Sequence, residues 1–128
     1  MPIRVSIDRQ RGLITTVISG AITPADLVAA YERIFADPDF RPGLDSLWDM
    51  RDARLAAFTT EHIRQTSEYI LSQAARRGSG YKSALVASAD LQFGLARMYE
   101  VFTERLPAEV GVFRDIDDAL RWLAEGRN

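Results

Sequence analysis

Apolar and polar positions alternate strictly at the start of the chain. Ile3, Val5 and Ile7 interleave with Arg4, Ser6 and Asp8, the period of a half-buried strand. Arg9-Gln10-Arg11-Gly12 reads as a short turn, and Leu13 to Ser19, rich in Ile, Val and Thr, as a second strand. So short a connection predicts an antiparallel hairpin. The period then lengthens. Thr23 and Pro24 suit the cap and first position of a helix, and Leu27, Val28, Tyr31, Ile34 and Phe35 give it an apolar face. Asp37-Pro38 ends that helix and Pro42-Gly43 makes a turn.

Leu44 to Met50 is the predicted third strand, with a loop from Arg51 to Phe58 after it. A second helix starts at Thr59-Thr60 and shows Ile63, Ser67, Ile70, Leu71, Ala74 and Ala75 on one side. Arg76 and Arg77 suit the negative pole of its dipole and Gly78 its end. A fourth strand lies within Tyr81 to Ala87. Its Ala84-Leu85-Val86-Ala87 run lacks polar alternation, which predicts cover on both faces. Asp90 is placed as the cap of a third helix, with Leu91, Leu95, Met98, Tyr99, Phe102 and Leu106 along one stripe and Pro107 as its stop. Glu109 to Phe113 is a short fifth strand. Asp115 caps a fourth helix whose inner residues are Ile116, Ala119, Leu120 and Leu123. The order β-β-α-β-α-β-α-β-α predicts an α/β fold with a mostly parallel five-stranded sheet and one antiparallel strand. At 128 residues it is expected to form one domain over 1–128.

Composition narrows the chemistry. The chain has no cysteine and one histidine, His62, so thiolate metal sites, thiol nucleophiles and multi-histidine metal sites are excluded. No metal or cofactor is expected. No apolar run reaches the roughly 18 residues of a membrane span. The opening Met1-Pro2-Ile3-Arg4-Val5-Ser6 holds no stretch long enough for a secretory signal, so a cytoplasmic location is expected. The net charge is −2, and the arginines are spread among 18 acids. That lacks the basic stripe of a nucleic-acid interface.

The closing run Val112-Phe113-Arg114-Asp115-Ile116-Asp117-Asp118-Ala119-Leu120-Arg121-Trp122-Leu123 resembles the end of the SpoIIAA-like group of small bacterial proteins within the STAS domains. Gly12-Leu13-Ile14, Ser19-Gly20 with Thr23, and Leu47-Trp48-Asp49-Met50-Arg51-Asp52 are similar too. The resemblance implies a STAS-like fold over nearly the whole chain. In the anti-sigma-factor antagonists of that group, a serine in an Asp-Ser-Ser-Gly type run starts the helix after the third strand, and a partner kinase phosphorylates it. Here the region reads Ala56-Ala57-Phe58-Thr59-Thr60-Glu61-His62. Thr59 or Thr60 stands in the equivalent place, as a switch or as a plain helix cap.

Three further groups are candidates. Ligands of open α/β sheets bind outside the carboxyl ends of the strands. That rim offers Arg51, Asp52 and Arg54, then Ser88 and Asp90, then Arg114 and Asp115, either as an anion or ligand site or as caps with their surface partners. Tyr69, Phe93 and Tyr99 could line a ligand pocket beside the second and third helices, or face a second copy of the chain. The resemblance allows the pocket, because SpoIIAA-like sequences are sometimes grouped with the CRAL-TRIO lipid-binding fold. His62 with Asp49 or Asp52 could supply a carboxylate–imidazole pair. There is no Gly-x-Ser-x-Gly elbow, and Gly78-Ser79-Gly80 lacks the lysine of a phosphate loop. The first expectation is a non-enzymatic STAS-like interaction or regulatory domain with a protein partner, self-associating as a homodimer. The alternative is a lipid or small-ligand-binding protein.

Overall fold

The computed structural model describes residues 2–126. Met1, where the opening segment and the expected 1–128 domain begin, and residues 127–128, where that domain ends, lie outside the described residues. Strands β1 (Ile3–Asp8) and β2 (Leu13–Ala21) form the antiparallel hairpin, with Ile3 opposite Ile18 and Asp8 opposite Leu13. The Asp8 carboxylate accepts from the backbone N–H of Gln10 and of Arg11, which folds the turn. Strands β3 (Asp45–Arg54), β4 (Lys82–Val86) and β5 (Glu109–Phe113) add in parallel, in the order β1-β2-β3-β4-β5.

A parallel sheet that grows by one strand at each crossover, always with the same hand, puts its crossover helices on one face. Helices α1 (Pro24–Ala36), α2 (Thr60–Ser72) and α4 (Asp90–Phe102) share the larger core with Ile14, Ile18, Trp48, Met50 and Leu85. Helix α5 (Ile116–Ala124) covers the other face, where Leu13, Leu47, Ala84 and Val86 meet Ala119 and Leu123. β4 therefore splits its apolar run between two cores.

Local signals explain most boundaries. Thr23 and Asp26 exchange hydrogen bonds in a capping box, with Pro24 at the first turn of α1. Asp115 Oδ1 accepts from the Asp117 N–H at the start of α5.

Four expectations are corrected. The loop after the third strand starts later than predicted. A register shift in β2 between Val17 and Ser19 lets Ser19, Gly20 and Ala21 pair with Asp52, Ala53 and Arg54. Backbone pairing thus carries β3 past Met50 although Arg51, Asp52 and Arg54 are exposed. Asp90 is not the cap of α4. Ala89 holds that position without a side-chain bond, and the Asp90 carboxylate turns instead to Arg114, Oδ1 to Nη1 2.9 Å. The third helix stops at Phe102. The Thr103 hydroxyl donates back to the Tyr99 carbonyl, and a turn brings buried Leu106 to the core by another route. The second helix breaks at Gln73, leaving a separate turn α3 (Ala74–Arg77). Its last residue does not serve the helix dipole in water: Arg77 is 4% exposed, with its guanidinium under the helix layer.

Candidate functional site

An apolar chamber of about 50 Å³ lies between the sheet and the helix layer. Its floor is Trp48 and Met50 of β3 with Leu85 of β4. Leu27 and Tyr31 of α1, Ile63 and Thr66 of α2, and Leu95, Ala96 and Tyr99 of α4 form the roof. Ile22, Leu55 and Phe58 close the end toward the carboxyl ends of β2 and β3. The helical spacing that makes these side chains core residues also brings them to one place. Polar groups in the wall are already engaged. The Thr66 hydroxyl donates to the His62 carbonyl, and the Tyr31 and Tyr99 hydroxyl oxygens lie 2.6 Å apart.

A second, smaller cavity of about 10 Å³ lies beyond that tyrosine pair. Tyr31, Trp48 and Tyr99 line both spaces. The small one adds Arg77, Tyr81, Ser46 and Ser83. Arg77 Nη2 donates to the Leu44 carbonyl at 2.6 Å, and the guanidinium lies 3.7 Å over the Tyr81 ring. Nη1 is buried without a hydrogen-bond partner. Burial pushes the Tyr31 and Tyr99 hydroxyls well above the ordinary tyrosine pKa and draws the Arg77 guanidinium below its own.

The expected aromatic trio does not act together. Tyr99 lines the chamber. Tyr69 stacks obliquely on Tyr31 at 5.7 Å and gives its hydroxyl to the Glu32 carboxylate on α1. Burial and that carboxylate raise its pKa to about 12. Phe93 is half-buried under Arg114, whose guanidinium sits 4.2 Å from its ring centre. One side of its ring is thus covered by Arg114. Among the described residues, the exposed large apolar ones are Leu91 and Val101.

The rim separates into two groups. Arg114, Asp90 and the Ser88 carbonyl meet beyond β4 and β5. Arg51 turns to Asp49 with two parallel bonds of 2.9 Å. No hydrogen bond or ion pair of the described residues links the Arg54 guanidinium to either group.

The Asp49–Arg51 pair predicts a pH dependence. The bonds from Arg51 hold the Asp49 carboxyl below its ordinary pKa. A depressed carboxyl stabilises the fold above its unfolded pKa, about 4, and this contribution fades as pH falls through the folded value. Arg51→Gln is therefore expected to be less stable than the parent near neutrality, with the two urea midpoints converging in acid. A gap that stays constant down to the acid limb would show that Arg51 contributes by packing instead.

His62 stands apart from Asp49. Its Nδ1 accepts from the Thr59 N–H at 3.1 Å, and Thr59 Oγ1 accepts from the His62 N–H at 3.2 Å, a capping box with histidine in the third position. Asp49 shares the opposite face of the sheet with Leu47, so the carboxylate–imidazole pair does not assemble there. Thr60 is exposed in the first turn of α2. Thr59→Ala is expected to cost ~1 kcal/mol and Thr60→Ala far less, read as the difference between their denaturation midpoints.

Arg77, expected with Arg76 at the negative pole of the helix dipole, lines the smaller cavity instead. Nothing in Ala74-Ala75-Arg76-Arg77-Gly78 distinguishes the two arginines. Only packing separates Arg76, which lies 4.3 Å over the Phe35 ring at the surface, from buried Arg77.

No family model matches the chain, and no curated protein is significantly similar to it. Among solved structures it is similar to an uncharacterised DUF3478 family protein with a SpoIIAA-like fold from Shewanella loihica PV-4. The two are 20% identical, with 94% of this chain and 93% of that one covered and a TM-score of 0.57. The fold is thus SpoIIAA-like, as the closing run implies. No helix among the described residues is long and apolar enough to cross a membrane.

Proposed function

We propose that the protein binds a small, largely apolar molecule in the chamber under α1, α2 and α4, without catalysing a reaction on it. The observation that carries this reading is the chamber itself, an apolar space walled by three helices and two strands. Protein interiors rarely leave such space unfilled, and small-molecule sites are typically concave and mostly apolar. Each methylene that leaves water for the chamber contributes ~0.8 kcal/mol. The expected protein-interaction role rests on the resemblance to anti-sigma-factor antagonists, and Thr59 already serves α2 as a cap.

Ala96 is 4% exposed and forms part of the roof. Ala96→Val projects two more methyl groups into the chamber. The parent is expected to gain thermal stability in 1-butanol below denaturing concentrations, and to show NMR shifts at Ile63, Leu85 and Leu95. Ala96→Val should fold, change stability by no more than ~1–3 kcal/mol and lose both responses. Equal responses in parent and variant, or none in the parent, would overturn the reading.

A further inference from the structure

We infer that the Arg77 cavity is a binding site for one internal water molecule, which joins the α3 turn to the sheet and to the tyrosine pair. The inference goes beyond the chamber reading and does not depend on it. It starts from a donor left over inside the protein. Arg77 is 4% exposed. Its Nη2 donates to the Leu44 carbonyl, but Nη1 is buried without a hydrogen-bond partner. A buried donor left unmet is costly. Internal water is the usual remedy where the walls are polar and leave room for it.

Both conditions hold here. The cavity of about 10 Å³ is near the least volume that admits one water, ~10–15 Å³, and too small for a larger guest. Its wall includes hydroxyl-bearing residues of four elements: Ser46 of β3, Ser83 of β4, Tyr31 of α1 and Tyr99 of α4. Ser46 donates to Ser83 at 2.8 Å, which leaves the Ser83 oxygen a second lone pair and its own hydrogen. One of Tyr31 and Tyr99 donates to the other, so that pair also keeps lone pairs and one hydrogen. A water offers two hydrogens and two lone pairs to such a wall. It accepts from Arg77 Nη1 and turns its hydrogens to the hydroxyl oxygens around it.

Charge and polarity exclude other occupants. Arg77 has the Leu44 carbonyl at 2.6 Å, the Tyr81 ring at 3.7 Å and the charge of Asp45 acting on it. The guanidinium therefore needs a partner for one nitrogen rather than a counter-ion. An apolar group would leave Nη1 unmet. The chamber is the opposite case. The Thr66 hydroxyl in its wall is committed to the His62 carbonyl, and apolar spaces of this kind stay dry. Tyr31, Trp48 and Tyr99 stand between the two spaces, so the small one takes water and the chamber is left to an apolar guest.

The test is a high-resolution crystal structure of the full chain, together with water–protein NOE spectra of the same protein in solution. The expected results are density for one water about 2.7–3.2 Å from Arg77 Nη1 and a water cross-peak at the Arg77 guanidinium hydrogens. Arg77→Met should lose that water from the density. Saturating 1-butanol should leave the cross-peak of the parent in place. If the parent shows neither density nor a cross-peak at Arg77, the inference is overturned. If the water persists at the same place in Arg77→Met, the hydroxyl groups alone hold it and the assignment to Arg77 is wrong. If butanol removes the cross-peak, the two spaces are one and the separate water site is overturned. The parent measurements decide the first point even if Arg77→Met does not fold, and they stand whether or not the chamber binds butanol.

Discussion

Gly78→Ala is expected to cost at least ~3 kcal/mol, the sum of a glycine-only backbone conformation and a hard contact. Gly78 has φ 97° and ψ −167°, a region that residues with a Cβ scarcely enter. A Cβ built there would meet the Gly43 nitrogen at 2.4 Å and the Pro42 carbonyl carbon at 2.8 Å. Both are backbone atoms, so no side-chain rotation relieves the contact. The approach is tight because the Gly43 N–H donates to the Arg77 carbonyl at 2.9 Å, tying the turn before β3 to the end of α3. The damage should therefore reach the Arg77 cavity. In thermal denaturation the midpoint should fall on the order of 10 °C, from the usual few degrees per kcal/mol for a domain of this size. Gly80→Ala is the control. Its φ is 73°, but nothing lies within 4 Å of the added carbon, so it carries only the backbone cost of ~1–2 kcal/mol. If the two variants melt together, the close approach of the two segments is not what Gly78 provides.

Trp48→Ala should be comparably damaging, at ~3–5 kcal/mol. Trp48 is 5% exposed and packs its ring 5.0 Å from that of Tyr31. It forms floor for both the chamber and the Arg77 cavity, so truncation joins two spaces and leaves a larger void than the lost side chain alone implies. Large-to-small core changes lose both transfer energy and the contacts of the surrounding wall. Urea titration should show a lower midpoint with the same slope if the variant remains two-state. Trp48→Phe retains a ring and should lose less than half as much. If both variants lose the same amount, the cost lies in a property special to the indole rather than in the space it fills.

Legibility followed distance along the chain. Periods of two and 3.6 located the strands and helices, because each reflects the repeat of the element itself. Thr23 and Asp115 were readable as caps because the groups they satisfy lie within three residues. Asp90 has the same residue type in the same kind of place, yet its partner is Arg114, 24 residues away. The tail of β3 was unreadable for the same reason: Arg51, Asp52 and Arg54 have strand backbones only because β2 shifts register opposite them. His62 as the third member of a capping box escaped notice because that place is usually taken by Glu or Gln.

Of the three aromatic residues that the sequence groups together, Tyr99 faces the space under the helices. Tyr69 and Phe93 share its helices but turn their polar or covered sides elsewhere, to Glu32 and to Arg114.

The sequence by itself determined the order of strands and helices, the hairpin and the parallel sheet, because these depend on short-range periodicity, turns and caps. Only the tertiary structure decided which of two adjacent arginines is buried, which aromatic residues meet, and that Tyr31, Trp48 and Tyr99 stand between an apolar chamber and the Arg77 cavity. Those outcomes depend on Leu44, Tyr81, Ser46 and Ser83 arriving from different strands and turns at one point. No local pattern encodes a coincidence of distant residues in space.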